Sequence, residues 1–433
     1  MKIAVAGTGY VGLVTGVCLA SKGHQVTCVD VDANKVKYMQ EGKSPIYETH
    51  LEELMNQYTD NISYTVDYQN TYKNADVIFI GVGTPEKSDG SANLTYIYQV
   101  AKQIALTAEK DCVVVVKSTV PIGTNDKVES YIHDKQTHKA KIYVASNPEF
   151  LAQGTAVHDT LHASRIVIGT EDDYAIKVLK EVYKDFDAPL LVMKRRSAEM
   201  VKYASNDFLA LKISYVNEIA NLCETVGSDI EDVTKGMGYD ERIGSKFLNA
   251  GIGYGGSCFP KDTKALSWLA SFNDREIKTI KAAIEVNENQ KFTLLKKAKK
   301  YYDSFLFLNV AILGCTFKPG TDDLREAPSL VNIPMLLEDG AHVCVWDPVG
   351  CANLRKVFPE KISYFDTIEE TIEDADICLI MTEWDEIKAF DISLYKTLMR
   401  KPIVIDGRNC YKLEDVRNKG FVYESVGREI IKQ

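Results

Sequence analysis

Residues 1–23 read MKIAVAGTGYVGLVTGVCLASKG, and this stretch decides how the first part of the chain folds. KIAVAG predicts a buried strand, and YVGLVTGVCLASKG predicts a helix that ends at Gly23. Gly7, Gly9 and Gly12 follow the spacing G-x-G-x-x-G between them. In this spacing the first glycine permits a tight turn, the second lets a pyrophosphate approach the backbone, and the third lets helix and strand pack closely. The stretch therefore predicts a dinucleotide site at a helix N-terminus.

The next strand, QVTCVDVD, supports this prediction and indicates which dinucleotide is bound. Asp30 lies 18 residues after Gly12, near the expected spacing. A carboxylate there accepts hydrogen bonds from both ribose hydroxyls and repels a 2′-phosphate, so we expect NAD rather than NADP. Lys35 is either an adenosine contact or a solvated surface lysine. The expected cofactor contacts of the turn and strand are Gly7, Gly9, Tyr10, Val11, Gly12 and Asp30.

The N-terminal third continues as apolar runs separated by helical segments, which is typical of a parallel sheet covered on both faces. From about residue 305 the pattern returns and echoes the start. NVAILGCTF parallels KIAVAGTGY, HVCVWDP parallels QVTCVDVD, and ADICLIMTEW parallels ADVIFIGVGT. We predict an α/β protein with two Rossmann-like doubly wound parallel-sheet domains joined by a helical central region. The expected boundaries are 1–196, 197–300 and 301–433.

The central region begins with residues 197–230, which contain no strand signal and no proline. Apolar residues recur there at three- and four-residue spacing, which predicts one long amphipathic helix. Lys202 and Asn206 are four residues apart and project from one face. They are either substrate-oxygen contacts or ordinary helix-surface residues. The apolar series is Met200, Tyr203, Ala204, Phe208, Leu211, Tyr215, Ile219 and Leu222.

Composition narrows the class of protein. The net charge of −10 argues against nucleic acid as a partner. The sequence contains no run of 18 apolar residues, so no membrane span is expected. Ten cysteines are spread over 433 residues without a C-x-x-C pair, so we expect thiols in a cytoplasmic protein. The seven histidines are scattered and no metal-binding motif occurs.

Polar residues that follow strands mark a candidate crevice, because ligands of open parallel sheets bind beyond the carboxyl ends of strands. GVGTP and KSTVPIGT place Thr84 and Thr119 there, although either threonine alone is also ordinary turn chemistry. SNPEF places Glu149 at another strand end, as a candidate acid or base.

The stretch GYGGSCFPKD, residues 253–262, holds a candidate nucleophile. Pro260 suits the first turn of a helix. A thiol at a helix N-terminus with Lys261 nearby has a stabilised thiolate, and Asp262 could serve as base. These residues alone leave Cys258 at even odds between a nucleophile and a buried thiol.

The last domain carries positive side chains in loops that follow strands. Lys318 and Arg325 lie in GCTFKPGTDDLREAPS, and Arg408 lies in VIDGRN. Together they fit a phosphate-bearing second ligand, although each alone is most often a surface residue.

Six ordered motifs extend these fragments into a resemblance that covers nearly the whole chain. GTGYVGL, STVPIGT, NPEFLAQGTA, EMVKYASNDFLALKISYVNEI, GIGYGGSCFPKD and FKPGTDDLREAPS resemble, in order and spacing, those of the nucleotide-sugar dehydrogenase family. That family oxidises the C6 alcohol of a nucleotide sugar to a carboxylate with two NAD in succession. The resemblance implies that Cys258 captures the intermediate aldehyde as a thiohemiacetal, which becomes a thioester and is hydrolysed.

The resemblance also implies roles for other positions. Lys202 and Asn206 would stabilise oxygen, Thr119 and Asp262 would hold the catalytic water, and Glu149 and Asp262 are candidates for moving protons. Lys261 and Arg325 would reach the cofactor, with Thr84, Thr119 and Glu149 near it. Arg242 would cross a dimer interface into the neighbouring site. The sugar and UDP would contact Glu149, Phe150, Leu151, Lys202, Asn206, Asn249, Gly251, Gly253, Tyr254, Gly255, Phe317, Lys318 and Arg408.

The loop FLNAGIGYGGS fits the UDP-glucose branch of the family best, so we expect UDP-glucose as the substrate and a homodimer as the assembly. Other nucleotide sugars, GDP-mannose or a UDP-N-acetylhexosamine, are the alternative. A more remote alternative is a protein that senses a UDP-sugar without catalytic activity. No nucleic-acid or membrane partner is expected.

Overall fold

The computed structural model describes residues 1–432, which divide into two units that meet in the chain between Ser205 and Asn206. The first unit contains eight strands. They are β1 (Lys2–Ala6), β2 (Gln25–Val29), β3 (Ile62–Thr65), β4 (Val77–Ile80), β5 (Cys112–Val116), β6 (Ile142–Ser146), β7 (Ile166–Gly169) and β8 (Leu190–Met193). Its helices are α1 (Tyr10–Ser21), α2 (Ala33–Gln40), α3 (Leu51–Gln57), α4 (Tyr68–Lys73), α5 (Thr95–Thr107), α6 (Thr124–Lys135), α7 (Ala156–Leu161) and α8 (Asp173–Val182).

These strands form one sheet in the order β3-β2-β1-β4-β5-β6-β7-β8. The first six in that order are parallel, as the apolar runs predicted. The parallel sheet expected from the apolar runs does not extend to β7, which runs antiparallel to β6 and pairs with it through Ser146 and Gly169. The strands that the sequence analysis did not identify, β3 and β8, are short edge strands with half-exposed residues. Their burial pattern carries little of the apolar signal that reveals a central strand.

Alternating side chains of the central strands build a core on each face of this sheet. Val5 and Phe79 belong to one cluster with α1 and α8, whereas Ala6 and Ile80 belong to the other with α5 and α6. Both faces are therefore buried, which explains the continuous apolar runs of β1, β4 and β5.

The long helix α9 (Arg195–Val226) runs from the first unit into the second. The helix itself was predicted, but the exposure of its faces was not. Phe208, Tyr215 and Leu222 of the apolar series are 61%, 49% and 55% exposed. Lys202 and Asn206 are instead 3% and 7% exposed. The apolar pattern identifies an amphipathic helix but not which face turns inward, because apolar surface can also be left for a partner.

The second unit places four helices before a second sheet. The helices are α10 (Ile230–Gly238), α11 (Phe259–Phe272), α12 (Lys278–Gln290) and α13 (Thr293–Ala298). The strands are β9 (Asn309–Leu313), β10 (His342–Trp346), β11 (Ile362–Tyr364), β12 (Ile377–Ile380), β13 (Ile403–Asp406) and β14 (Val422–Glu424). Among them lie α14 (Ser329–Glu338), α15 (Cys351–Val357), α16 (Ile368–Ile372), α17 (Asp385–Lys388), α18 (Ser393–Leu398) and α19 (Leu413–Val416).

The second sheet repeats the order of the first. Its strands run β11-β10-β9-β12-β13-β14, all parallel, which matches β3-β2-β1-β4-β5-β6 strand for strand. The sequence echoes between the two ends of the chain therefore correspond to equivalent strands. The fold is α/β, with two Rossmann-like sheets and a helical segment between them in the chain.

The shared Ala-Asp pair before β4 and β12 has a structural explanation. Asp76 accepts a 2.8 Å hydrogen bond from the backbone N–H of Lys2, and Asp376 accepts a 2.9 Å bond from that of Asn309. Each carboxylate thus satisfies the first N–H of the central strand of its sheet. This shared device is structural and implies no common ligand.

No helix within residues 1–432 has the length and apolar character needed to cross a lipid bilayer.

Candidate active site

The glycine turn of the first unit joins β1 to α1. Gly7 has φ +90, and a Cβ on Gly12 would lie 2.0 Å from the carbonyl oxygen of Gly7. The backbone conformation at position 7 and the close packing at position 12 therefore both require glycine. Gly9 differs, because a Cβ there would meet nothing within 4 Å. The turn is open at its middle glycine, beside the N-terminus of a 12-residue helix, and can accept an anionic group.

Asp30 closes one side of this turn. Its Oδ2 accepts a 3.0 Å hydrogen bond from the N–H of Thr8 and lies 3.2 Å from Nζ of Lys35. Burial acts to raise the pKa of Asp30, but hydrogen bonds from Thr8 and Asp32 and the charge of Lys35 hold it below its usual value. Asp30 therefore presents a carboxylate at the ligand side of β2. Lys35 forms an ion pair with this carboxylate, so the lysine lies close to Asp30, the predicted ribose contact.

The remaining predicted cofactor residues of this unit lie at neighbouring strand ends. Thr84, after β4, donates a 2.9 Å hydrogen bond from its hydroxyl to the carbonyl oxygen of Thr119, after β5. Tyr10 is half-buried and donates to the carbonyl oxygen of Tyr47, 3.0 Å away. Val11 is also half-buried. Because β1, β4 and β5 are adjacent in the sheet, the turn and the two threonine loops share one edge.

A buried ion pair follows β6. Glu149 Oε1 lies 2.8 Å from Nζ of Lys202, and the side chains are 6% and 3% exposed. The N–H of Leu151 donates a 2.8 Å bond to the other carboxylate oxygen. Lys202 is therefore not the solvated helix-surface residue that was the alternative. The pair is a fixed cation and anion inside the first unit.

Two basic residues near this pair were not identified from the sequence. The Arg165 guanidinium lies 3.9 Å from the ring centre of Phe150, and Lys202 Nζ lies 5.6 Å from the same ring. Lys117 donates a 3.1 Å bond to Oδ1 of Asn147 and lines a cavity of about 50 Å³ with Arg165. Burial lowers the pKa of Lys117 to about 8. A lysine directly after a run of four valines is the signal that could have revealed it.

In the second unit, α11 begins at Phe259, directly after Cys258. The helix start near Pro260 was predicted. Cys258 is half-buried, and its sulfur lies 3.8 Å from the hydroxyl of Ser257. A thiol at the N-terminus of a 14-residue helix is in the environment that stabilises a thiolate.

Asp262 lies in the first turn of the same helix and is 1% exposed. Asn206 donates a 2.7 Å hydrogen bond to its Oδ2, and Lys261 Nζ lies 2.5 Å from its Oδ1. Three of the predicted site residues are thus held together. Lys261, expected to reach the cofactor, here pairs with Asp262.

The glycine-rich loop before α11 is packed against the protein itself. A Cβ on Gly253 would lie 2.9 Å from Oδ1 of Asn287, and one on Gly255 would lie 2.5 Å from the carbonyl oxygen of Glu326. Protein atoms therefore fill the space that side chains at these two positions would occupy.

Buried amides hold the same loop from beneath, and the sequence analysis did not identify them. Asn217 accepts from the N–H of Gly251, Asn287 accepts from that of Tyr254, and Gln290 donates to the carbonyl oxygen of Gly251. The predicted contact Asn249 is exposed in this loop.

Arg408 connects three loops of the second unit. Its guanidinium donates to the carbonyl oxygens of Met381, Gly253 and Phe317 at 2.9, 3.1 and 3.4 Å. Lys318 Nζ lies 5.8 Å from the ring centre of Phe317. Gly253, Phe317, Lys318 and Arg408 are therefore neighbours, as a site for an anionic ligand requires.

Two predicted arginines lie in exposed ion pairs. Arg325 is paired with Asp323 through a two-pronged contact, at 2.6 Å for its Nη2, and its side chain is 60% exposed. Arg242 pairs with Asp240, and its side chain is 89% exposed. Arg242 does not join the described cluster around Arg408. No group of three or more metal-binding side chains occurs among the described residues.

The second-unit loop equivalent to the glycine turn is built differently. Asp347, the counterpart of Asp30, accepts hydrogen bonds from the N–H groups of Cys315, Thr316, Val349 and Gly350 and from the indole of Trp384. Asp30 accepts from fewer groups, which belong to Thr8, Asp32 and Lys35. The two sheets share an order of strands but offer different ligand sites.

Comparisons with known proteins agree with this arrangement. Three models of one family match the chain in order. The NAD binding domain of the UDP-glucose/GDP-mannose dehydrogenase family matches residues 1–187, its central domain residues 196–289, and its UDP binding domain residues 311–413.

Individual relatives are similar over the whole chain. The UDP-glucose 6-dehydrogenases YwqF and TuaD of Bacillus subtilis (strain 168) are 49% and 43% identical to it. Both alignments cover 100% of this chain, and they cover 98% of YwqF and 94% of TuaD. The structure of a UDP-glucose dehydrogenase from the hyperthermophilic archaeon Pyrobaculum islandicum is similar with a TM-score of 0.93 at 37% identity. That match covers 99% of this chain and 98% of the other.

Proposed function

The chain belongs to the UDP-glucose/GDP-mannose dehydrogenase family, and from that premise we propose that it oxidises the C6 alcohol of UDP-glucose to the carboxylate of UDP-glucuronate with NAD. The observation that carries the choice of sugar is the 49% and 43% identity to relatives named UDP-glucose 6-dehydrogenase. The alignments cover 100% of this chain and 98% and 94% of the two relatives, which supports the transfer.

The first unit supplies the cofactor site. Gly9 leaves room for a pyrophosphate at the N-terminus of α1, and Asp30 offers a carboxylate to the ribose hydroxyls. NAD held at this turn would supply the hydride acceptor for the two oxidations. Thr84 and Thr119 lie at the same edge of the sheet. We infer contacts with the cofactor for them and for Tyr10, Val11 and Lys35.

A four-electron oxidation that releases no aldehyde needs a covalent tether, and we infer that Cys258 supplies it. The sulfur adds to the C6 aldehyde to give a thiohemiacetal, and the second oxidation leaves a thioester. Water then attacks the carbonyl carbon, the C–O bond forms and the C–S bond breaks. The position of Cys258 at the start of α11 supports a thiolate at this point.

Fixed polar groups would serve the reacting oxygens. Lys202 is held by Glu149, and Asn206 by Asp262, so the two donors keep defined orientations one turn apart on α9. We infer that they stabilise negative charge as it develops on oxygen. Glu149 and Asp262 remain the proposed proton carriers, with Thr119 and Asp262 holding the water.

The second unit would hold the UDP-sugar. Arg408 and Lys318 bring two positive charges to one cluster of loops, which suits a diphosphate. Phe317 and the loop from Asn249 to Gly255, with Tyr254, are the proposed neighbours of the nucleotide and sugar. Phe150 and Leu151, next to Glu149, are proposed sugar contacts from the first unit. Arg325 and Lys261 are proposed cofactor contacts.

We also infer a homodimer that uses the exposed face of α9. Phe208, Tyr215 and Leu222 recur every seventh residue and are about half exposed. Such spacing is typical of a seam between two helices. Arg242 is exposed and, within residues 1–432, pairs with the neighbouring Asp240 of its own turn, so it is a candidate for reaching the partner's site.

Three broader proposals follow from the sequence. The chain has an NAD-binding part (1–196), a central part that carries Cys258 (197–300) and a UDP-sugar part (301–433). A cytoplasmic location suits a catalytic thiol among ten cysteines, because a reducing compartment preserves thiols. The charge of −10 disfavours nucleic acid as a partner.

A nucleotide-sugar panel tests the function. The purified protein is incubated with NAD and UDP-glucose, GDP-mannose or UDP-N-acetylhexosamines, and NADH is counted per sugar consumed. We expect two NADH per UDP-glucose and much slower reaction with the others. Strong activity on another sugar without activity on UDP-glucose would contradict the proposal, and binding of UDP-glucose without any NADH would indicate a sensor.

A further inference from the structure

Asp207 on α9 is a buried carboxyl without a hydrogen-bond partner. Its side chain belongs to a residue that is 1% exposed. Neither of its oxygens has a hydrogen-bond partner among residues 1–432. Most buried polar atoms in proteins are paired, and an unpaired one costs free energy. A carboxyl kept in this position therefore needs an explanation, and none of the roles above uses it.

The neighbourhood of Asp207 contains the proposed water-binding carboxylate. Asn206, the preceding residue, donates its side-chain N–H to Asp262, which also contacts Lys261. The charges of Asp262 and Lys261 both affect the pKa of Asp207. The charges of Asp207 and Glu288 both affect the pKa of Tyr254. Asp262 accepts hydrogen bonds from both Asn206 and Lys261, whereas Asp207 accepts none from either.

This difference decides where a proton resides. Burial raises the pKa of Asp207 to about 8, with a further upward contribution from Asp262 and a downward one from Lys261. Two carboxylates in one buried site cannot both be ionised cheaply. At neutral pH Asp207 is therefore the protonated, neutral member, and Asp262 is the acceptor that Lys261 and Asn206 stabilise.

We propose that Asp207 and Asp262 form a buried carboxyl pair, in which Asp207 is a positioning residue that leaves Asn206 and Lys261 to Asp262 and so keeps Asp262 in place as the base for thioester hydrolysis. The proposal rests on the proposed function, because it needs the Cys258 thioester. In the step itself Asp262 accepts one proton of the attacking water and returns it to the departing Cys258 sulfur. The other water proton leaves when the new carboxyl group ionises.

Ionisation of Asp207 would disturb this step. A second negative charge beside Asp262 competes for Lys261, which then holds the carboxylate of Asp262 less firmly in place. With a pKa of about 8, the neutral fraction of Asp207 falls about tenfold between pH 7 and pH 9. The rate of turnover should fall with it.

The test is the pH profile of kcat from pH 6 to pH 10, with saturating UDP-glucose and NAD. Wild type should lose about tenfold in kcat between pH 7 and pH 9. Asp207→Asn, which is neutral at every pH, should lose this alkaline decline, so its ratio of kcat at pH 9 to kcat at pH 7 rises several-fold above wild type. Asp232→Asn, at an exposed position on α10, is the control and should keep the wild-type profile.

A second variant and a second measurement protect against a folding defect. Asp207→Ala should lose the same alkaline decline. The free energy of unfolding should also change with pH in wild type, because the folded chain keeps a proton that the unfolded chain releases above its ordinary carboxyl pKa. Stability should therefore fall as pH rises from about 4 to 8, and less so in Asp207→Asn.

The outcomes separate the two proposals. An alkaline decline that is unchanged in both Asp207 variants overturns the carboxyl pair while leaving the oxidation of UDP-glucose intact. A stability effect without a change in the pH profile also overturns it, since a merely structural residue would behave so. A wild-type protein that makes no NADH from UDP-glucose overturns the proposed function and this inference together.

Discussion

Asn206 donates a 2.7 Å hydrogen bond from its side-chain amide to Oδ2 of Asp262, which is 1% exposed. This bond joins α9 to the first turn of α11, the helix that starts directly after Cys258. The thiol and the carboxylate therefore belong to one short segment, and the carboxylate's direction is set by a neighbouring helix. A nucleophile and a base on one rigid element keep a defined geometry during a multistep reaction.

Replacing the proposed nucleophile should separate binding from turnover. Cys258→Ser should bind UDP-glucose about as wild type does, but its turnover should fall by about 10³-fold or more, because an oxygen ester replaces the thioester poorly. Steady-state NADH production and calorimetric binding of UDP-glucose measure the two effects. Cys344→Ser, at a half-buried cysteine of β10, is the matched control. Near-wild-type turnover of Cys258→Ser would refute the covalent route.

The carboxylate of Asp30 should set the cofactor preference. Asp30→Ala should lower the ratio of kcat/KM for NAD to that for NADP by about 10- to 100-fold, as expected for loss of charged hydrogen bonds. Asp32→Ala is the control, since Asp32 caps α2 and should affect stability by about 1 kcal/mol without altering the preference. An unchanged ratio in Asp30→Ala would show that another group contacts the ribose.

The glycines of the two loops should respond differently to a methyl group. Gly9→Ala should leave thermal stability nearly unchanged and raise the KM for NAD, because its Cβ points into open space. Gly255→Ala should lower the free energy of unfolding by about 1–3 kcal/mol, because its Cβ would lie 2.5 Å from the carbonyl oxygen of Glu326. Thermal melting and NAD titration of both variants make the comparison. A destabilised Gly9→Ala with normal NAD binding would contradict the assignment of that glycine to the cofactor.

The buried pair of Glu149 and Lys202 should show strong energetic coupling. Glu149→Gln and Lys202→Met should each lower the free energy of unfolding by about 3–5 kcal/mol, because each leaves one buried charge uncompensated. The double variant should lose less than the sum, and denaturant unfolding of the three variants closes the cycle. Glu181→Gln breaks an exposed pair with Lys184 and should leave the free energy of unfolding almost unchanged. Additive losses at Glu149 and Lys202 would show that the ion pair does not form in solution.

The exposed seam of α9 should govern assembly. Tyr215→Glu or Leu222→Glu should shift the protein from dimer to monomer in sedimentation experiments, because a charge in an apolar interface is costly. Phe272→Glu, at an apolar residue of α11 that is 72% exposed, is the control and should leave the assembly unchanged. A dimer that persists in both α9 variants would place the interface elsewhere.

The sequence alone determined the elements whose signal is local. Continuous apolar runs separated by helical segments predicted the central strands, and the spacing of Gly7, Gly9 and Gly12 predicted α1 and the cofactor turn. These elements depend on residues that are neighbours in the chain. The repeated order of motifs likewise predicted two Rossmann-like sheets. The ten residues GYGGSCFPKD predicted the helix start near Pro260, whereas the nucleophile role of Cys258 was implied only by the six ordered motifs together.

Tertiary structure decided what depends on residues far apart in the chain. The inward face of α9, the pairing of Glu149 with Lys202 across 53 residues and the amide support beneath Gly251 leave no local pattern. The need for glycine at 253 and 255 is likewise tertiary, since only the folded chain shows which atoms occupy the space beside them. Burial is a property of the packed chain, so only the structure could show that Asp207 is a buried carboxyl beside Asp262 rather than one more polar residue on a helix.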